Sequence, residues 1–411
     1  MRTGVVGHSS EWRKHGTVLI PCIAGIALVS VHGYSLGVMI APLQAEFGWT
    51  RAQISMGHLI ISSMSLFLAP LVGTVIDRLG PRPVAIFGVL AYCAALGALS
   101  TTGESIVSWW GRWVVLGLAS SIILPTVWIT AINGFFVEHR GKALAFALLG
   151  TGLGAAIVPP LATHLVELWG WRGAYAGMAA LMGVVVTVFV LMFFYGATNR
   201  SVAAVDGQPG VDLAGFTKGE GFRSPAFRKL ATAVFVFGMT SIAMTVNAVP
   251  ILMSEGFGAA TAAGIASLTG IGSVLGRLGG GFLLDYFEAR KVATISVIAP
   301  VISVGLLLLF PGTPALASVA FFALGLSLGA EVDACAYLAA RHFGMGSFSS
   351  LFGAINGLVV FGSGVAPVIA NLVYDVTNSY NLILWATIPL CLFAATMFLS
   401  LGSYPKFDTG G

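Results

Sequence analysis

Arg277 stands in a long apolar block, eight positions before Asp285. If that block is a helix, eight residues rise about 12 Å, which puts the guanidinium near the middle of a roughly 30 Å hydrocarbon core. A guanidinium there keeps its proton and needs an anion. Two chemistries fit. The anion is a carboxylate solute, gripped by the planar fork in two parallel hydrogen bonds, or it is a carboxylate of the protein and the arginine is structural. Glu331 and Asp333, in another apolar block, are candidates for that internal partner and for carrying a proton, because an ionisable group at membrane depth is costly and marks function by default. They are two residues apart, so they point roughly 200° apart around a helix. Only one of them faces a given cavity, and the sequence leaves both open. His32, Tyr34, His58, His164 and Asn247 are further polar side chains inside apolar blocks. His32 is a candidate proton carrier, weighed against the plainer reading of a histidine satisfied by helix packing.

Other chemistry is hard to find. There is no His-Glu-x-x-His pair, no phosphate-binding Gly-Lys-Ser/Thr loop and no nucleophile elbow, so an enzyme is not expected. Cys22, Cys93, Cys335 and Cys391 all lie in apolar blocks without a Cys-x-x-Cys pair, which argues against a disulfide frame or a zinc site. No metal, cofactor or nucleic-acid partner is expected, and the chain is read as a monomer.

The elements that must position these residues follow from composition. Of the 411 residues, 57% are hydrophobic and 9% charged, with a mean hydropathy of +0.93; soluble domains carry about 25% charged residues. The apolar residues form blocks near the roughly 20 residues a helix needs to span a bilayer, and the alternating segments of a barrel are absent. The chain is therefore expected to be an all-α membrane protein with twelve transmembrane helices. The spans fall at 17–43, 53–76, 82–102, 106–132, 142–166 and 173–195, then 227–253, 260–285, 290–310, 314–340, 347–373 and 381–402. The polar start, with Arg2, Arg13 and Lys14, has no short apolar region before a small-residue cleavage site, so the first helix is expected to stay in the membrane. With the N-terminus inside, all but Arg51, Arg112, Arg172 and Arg277 of the 20 Lys and Arg residues fall on the cytoplasmic side. Both termini are then cytoplasmic.

The two halves echo each other. Gly73-Thr-Val-Ile-Asp77 ends the second span and Gly281-Phe-Leu-Leu-Asp285 the eighth; Pro160-Leu-Ala-Thr-His164-Leu-Val in the fifth matches Pro367-Val-Ile-Ala-Asn-Leu-Val373 in the eleventh at nearly the same offset. This divides the chain into a six-helix half over 1–195, a central linker over 196–226 and a second half over 227–411, pseudo-symmetric and parallel. Such repeats put the binding site near the midplane between the halves. The Gly-rich runs from Gly150 to Pro160 and from Gly357 to Pro367 are read as close helix packing.

After the second span the chain reads Gly73-Thr-Val-Ile-Asp77-Arg78-Leu-Gly80-Pro-Arg82. This resembles the G-x-x-x-D-R-x-G-x-R loop signature of the major facilitator superfamily. Its physical role is legible: Gly73 lets helices approach, Asp77 can meet the positive N-terminal dipole of a helix of the other half, and Arg78 and Arg82 can bind carboxylates or lipid phosphate. Contacts of this kind would latch the inner side. The second copy keeps Asp285 but has Tyr286 where Arg78 stands, a weaker latch. Finer resemblance, to the monocarboxylate transporter and oxalate/formate antiporter group, rests on Phe47-Gly-Trp49-Thr-Arg51-Ala-Gln-Ile-Ser55, on Phe135-Phe-Val-Glu-His-Arg140-Gly141-Lys-Ala-Leu and on Tyr374-Asp375-Val-Thr-Asn-Ser-Tyr380.

In that group the eighth helix carries an arginine followed four residues later by glycine, positions held here by Arg277 and Gly281. The resemblance implies that Arg277 binds the substrate carboxylate. Helices 1 and 7 line the cavity in the superfamily, which makes Tyr34 and Asn247 secondary ligands. The chain departs from the group in three places: Ser273 stands where the animal monocarboxylate carriers have an aspartate, helix 1 has no lysine, and helix 11 lacks the lysine of the oxalate carrier. A single fixed cation favours a monoanion, because an unpaired second carboxylate is penalised in an apolar site. The expected protein is a secondary carrier of a small monocarboxylate, moved with a proton by alternating access in a bacterial-type inner membrane. An anion exchanger or exporter of the same fold is the alternative.

Overall fold

A computed structural model describes residues 10–136, 139–194, 215–344 and 347–405. Arg2, Val137, Glu138, Arg200, Lys406 and the linker from 196 to 214 lie outside the described residues. Everything long is helical. We label the spans α1 (Glu11–Phe47), α2 (Arg51–Leu79), α3 (Pro81–Thr101) and α4 (Ile106–Phe135). The next helix, Arg140–Phe193, has 54 residues. That is about 80 Å of rise, far more than a roughly 30 Å core accepts. It is broken at Gly170, where φ is 66° and ψ 177°, a conformation that side chains with a Cβ rarely adopt. The two pieces, 140–169 and 171–193, are α5 and α6. The second half comprises α7 (Pro225–Val246, continued beyond Asn247 by the short helix Ala248–Ser254), α8 (Ala259–Tyr286), α9 (Ala289–Leu309), α10 (Pro314–Phe343), α11 (Phe348–Thr377) and α12 (Asn381–Leu399). Twelve spans put residues 10 and 405 on the same face, together with the Lys- and Arg-rich loops.

Local chemistry sets the ends. Thr50 and Gln53 form a capping box at the start of α2, and Gly80, at φ 82°, ends α2 and starts α3. Ser224 accepts the Phe227 N–H ahead of α7, with Pro225 at the first helical position. Large apolar side chains such as Phe67, Phe87, Val107, Phe282 and Val376 are exposed. In water that would be an aggregation hazard; around a bundle of this length it is the lipid-facing surface.

Lipid gives helices no hydrophobic incentive to associate, so close packing relies on small residues. Gly150 of α5 faces the Ile23 carbonyl of α1, and Gly57 of α2 faces the Trp113 ring of α4. The two halves meet along α5 with α8 and α2 with α11. These pairs join the same segments whose sequences repeat, as a two-fold relation between halves requires. Between α5 and α8 a Cβ on Gly270 would fall 2.1 Å from the Ala156 nitrogen and 2.3 Å from the Gly152 carbonyl. The glycine-rich run of α5 is therefore a helix contact.

Candidate functional site

Arg277 lies on α8 and is 8% exposed. The helix that faces it is α10, held unusually close. A Cβ on Gly272, Gly276, Gly325 or Gly329 would fall 2.1–2.3 Å from a backbone oxygen of the partner helix, and one on Gly329 also 2.5 Å from the Arg277 nitrogen. Gly325, Gly329 and Asp333 follow one another at spacings of four, so they share one face of α10. The glycine stripe thus turns Asp333 toward α8, and its Oδ1 lies 3.9 Å from Arg277 Nη1. Glu331 points the other way: it is 4% exposed and accepts a hydrogen bond from the Cys335 thiol at 2.9 Å.

Beyond hydrogen-bond reach of Asp333, Arg277 Nη1 has no hydrogen-bond partner among the described residues. Tyr34 lies on α1 of the other half and is partly buried. The Arg277 side chain is a buried fork of five donors, and the carboxylate beside it is 32% exposed.

Other expected residues are elsewhere. Asn247 is fully buried at the break in α7 and spends its carboxamide on the protein: Nδ2 donates to the Ala243 carbonyl at 2.9 Å, and Oδ1 accepts from Asn371 at 2.8 Å. In this conformation one N–H and one acceptor position of the amide oxygen remain unused, at a residue that is fully buried. His32 is 7% exposed, with Nδ1 3.2 Å from the Tyr92 hydroxyl and its ring 5.6 Å from that of His58. All these contacts lie within the first half. Gly325-Leu-Ser327-Leu-Gly329 carries the letter pattern of a nucleophile elbow, but it runs inside α10 and the Ser327 hydroxyl donates to the Ser296 carbonyl. It has neither the strand nor the exposed turn that such a nucleophile needs.

The two faces of the interface differ. On the Lys- and Arg-rich face Asp77, Arg78, Arg82 and Asp285 are exposed, and none makes a hydrogen bond or ion pair with another described residue. Gly73 makes no close approach either: nothing lies within 4 Å of a Cβ added there. The contacts expected of a latch are not made among the described residues at this end. At the opposite face the halves are tied. The Asp375 carboxylate of α11 accepts the N–H groups of Arg51 and Ala52 at 3.0 and 2.9 Å, in the first turn of α2. The Arg51 guanidinium lies 3.6 Å over the Tyr374 ring and donates to the Tyr380 hydroxyl at 3.0 Å. Burial pushes the Tyr380 phenol up to about 12, with Arg51 pulling the other way, so it stays a neutral donor. Sequence reasoning quoted both motifs without joining them. The available signal was that each is an ionisable residue at a span end on the face poor in charge.

Arg277 and Asp333 thus lie where two closely packed helices meet, and the halves are tied at one face by Arg51, Asp375 and Tyr380. The sequence pattern of the Major Facilitator Superfamily matches residues 22–367 and again residues 230–409. The oxalate:formate antiporter of Oxalobacter formigenes is 26% identical over 329 residues, 78% of this chain and 73% of that protein. Monocarboxylate transporter 13 of Rattus norvegicus is 23% identical over 352 residues, 84% of this chain and 79% of the relative. A shorter stretch, 137 residues at 29% identity, resembles a riboflavin transporter of Trypanosoma cruzi and covers 33% of this chain and 29% of that one. The twelve-helix fold, the family pattern over most of the chain and the transporter relatives agree: the chain belongs to the Major Facilitator Superfamily and is a membrane transporter, not an enzyme.

Proposed function

We propose that this transporter carries a small organic monocarboxylate, together with a proton, by alternating access. The observation that carries the reading is the Arg277 guanidinium: buried, without a hydrogen-bond partner on Nη1, and 3.9 Å from its nearest carboxylate. An unpaired cation at this depth is costly. A solute carboxylate can supply the two parallel hydrogen bonds that Asp333 does not. When it does, Asp333 is left as a second negative charge beside one cation. A proton on Asp333 restores neutrality, which gives one proton per monocarboxylate. Tyr34 supplies a hydroxyl from the opposite half, so that both halves touch the solute. The names of the oxalate:formate antiporter and of monocarboxylate transporter 13 agree with an anionic solute.

We place the Lys- and Arg-rich face in the cytoplasm, following the charge bias of the loops. The conformation is then inward-open, with Asp77, Arg78 and Arg82 forming their latch only when the site faces outward. Exchange of two anions without a proton is the second reading, favoured by the antiporter relative. Proteoliposomes separate the two. Uphill uptake of a monocarboxylate driven by a pH gradient alone, lost in Arg277→Ala and in Arg277→Lys, supports the proposal. Wild-type uptake by well-inserted Arg277→Ala overturns the anchoring role, and uptake that needs an internal anion and ignores the pH gradient overturns the proton.

A further inference from the structure

A continuous hydrogen-bonded chain runs from the closed face toward the middle of the membrane, and it crosses between the halves twice. Arg51 begins it: Nε donates to Gln44 Oε1 of α1 at 3.0 Å and Nη1 to the Tyr380 hydroxyl at 3.0 Å. Tyr380 donates onward to Asn371 Oδ1 at 2.7 Å. The Asn371 amide then donates to Ser55 Oγ of α2 at 2.6 Å and to Asn247 Oδ1 of α7 at 2.8 Å. Asn371, Asn247 and Ser55 are fully buried, and Tyr380 is 1% exposed. Asn371 thus spends its carbonyl and both amide hydrogens, and its partners come from both halves. Among the described residues nothing comparable ties the halves at the Lys- and Arg-rich face, where Asp77 and Asp285 are exposed.

We propose that Asn371 is a positioning residue for transport, which locks Asn247 at the break in α7 to the closure made by Arg51, Asp375 and Tyr380. Opening this face pulls α11 away from the start of α2, so the Asp375 cap, the Arg51–Tyr380 bond and the Asn371–Ser55 bond break together. Once Ser55 has gone, Asn371 keeps its second-half partners Tyr380 and Asn247, and one buried amide hydrogen is left unpaired, which is penalised. The Asn247 carboxamide is committed to Ala243 and Asn371 while this face is shut, and loss of the Ser55 bond frees Asn371 to shift against it. Because α7 is non-helical at Asn247 (φ −96°, ψ 16°), the helix can bend there. The state of the closure is thereby read one helical turn below it, at the break in α7. The proposal concerns the alternation itself and stands apart from which solute is carried.

The test reads which face is open. Ile40 is 1% exposed and lines the cavity beside Arg51, with Gly37, Pro250 and Tyr374. Ile40→Cys is a reporter for a membrane-impermeant maleimide added on this face; the four native cysteines are buried. Labelling is measured in purified protein in proteoliposomes of determined orientation, alone and combined with Asn371→Ala, Tyr380→Phe or Asp375→Asn. Each variant is expected to label about fivefold faster, the population shift that losing one net hydrogen bond supplies. A role in packing alone would lower the melting temperature and leave the labelling rate unchanged, and that outcome overturns the proposal. Where Asn371→Ala does not insert, Tyr380→Phe, which removes a single oxygen, decides: an unchanged rate in that variant also overturns it.

Discussion

Replacing Asp333 by asparagine tests the electrostatics of the site without changing its shape. At 3.9 Å, two unit charges attract by about 4 kcal/mol at an effective dielectric of about 20. Asp333 is 32% exposed, so water and ions screen much of this, and the effective attraction is about 1 kcal/mol. In the empty carrier that attraction competes with the solute for Arg277. Asp333→Asn removes the competitor, so equilibrium binding of a monocarboxylate should tighten about fivefold. The same change removes the proton carrier. Uphill uptake driven by a pH gradient should vanish, while solute exchange across the membrane persists. Empty Asp333→Asn protein should melt lower than wild type, because Arg277 is left with no carboxylate partner, and saturating solute should restore more of that loss than it adds to wild type. The assays are calorimetric binding in detergent, paired uptake and exchange in proteoliposomes, and thermal unfolding with and without solute. Weaker binding in Asp333→Asn would mean that Asp333 orients Arg277 rather than competes for it. Proton-driven accumulation that survives would refute the coupling role.

Further predictions follow from packing. Gly276→Ala and Gly329→Ala each force a Cβ to 2.2 Å from a backbone oxygen and should destabilise the protein by about 1–3 kcal/mol, with uptake falling as Asp333 leaves Arg277; Gly281→Ala meets nothing within 4 Å and should melt like wild type. His32→Asn loses the Tyr92 contact and should cost about 1 kcal/mol of stability, yet leave the pH dependence of uptake unchanged; a shifted pH profile would return His32 to the coupling path. The hydrogen bond from Arg290, with help from Lys291, holds the Glu288 carboxyl below its ordinary value. Its stabilising contribution is therefore present above the ordinary carboxylate range and lost as pH falls through the lowered value, so wild type and Glu288→Gln should converge in melting temperature at acid pH.

The spans were legible because lipid imposes a length and a polarity that any sequence must meet. Even the junction of α5 and α6 was readable from Trp169-Gly170-Trp171-Arg172, although the helix continues on both sides and only Gly170 turns it. The break at Asn247 had a signal that the reading did not use: Pro250 has no N–H for the Val246 carbonyl, which kinks the helix one turn before it, and the bond to Asn371 adds a tertiary tie at the same place. The depth of Arg277 followed from counting residues back from Asp285. The choice between Glu331 and Asp333 did not follow from counting, since two positions 200° apart need an absolute phase. That phase was present in the sequence, as Gly325 and Gly329 mark the face of α10 that approaches α8 and Asp333 continues the stripe. The pairing of Arg51 with Asp375 needed three dimensions, because those residues sit in different halves and take their meaning from which face is shut.

The central claim is that Arg277 holds the carboxylate of the solute. Equilibrium binding of small monocarboxylates to purified wild type, Arg277→Lys and Arg277→Gln tests it without involving coupling or turnover. A desolvated charge pair that loses one partner costs about 2 kcal/mol or more, so Arg277→Gln should bind at least about thirtyfold more weakly. Arg277→Lys should fall between the two, because it keeps the charge and loses the fork. Wild-type affinity in folded Arg277→Gln would contradict the account.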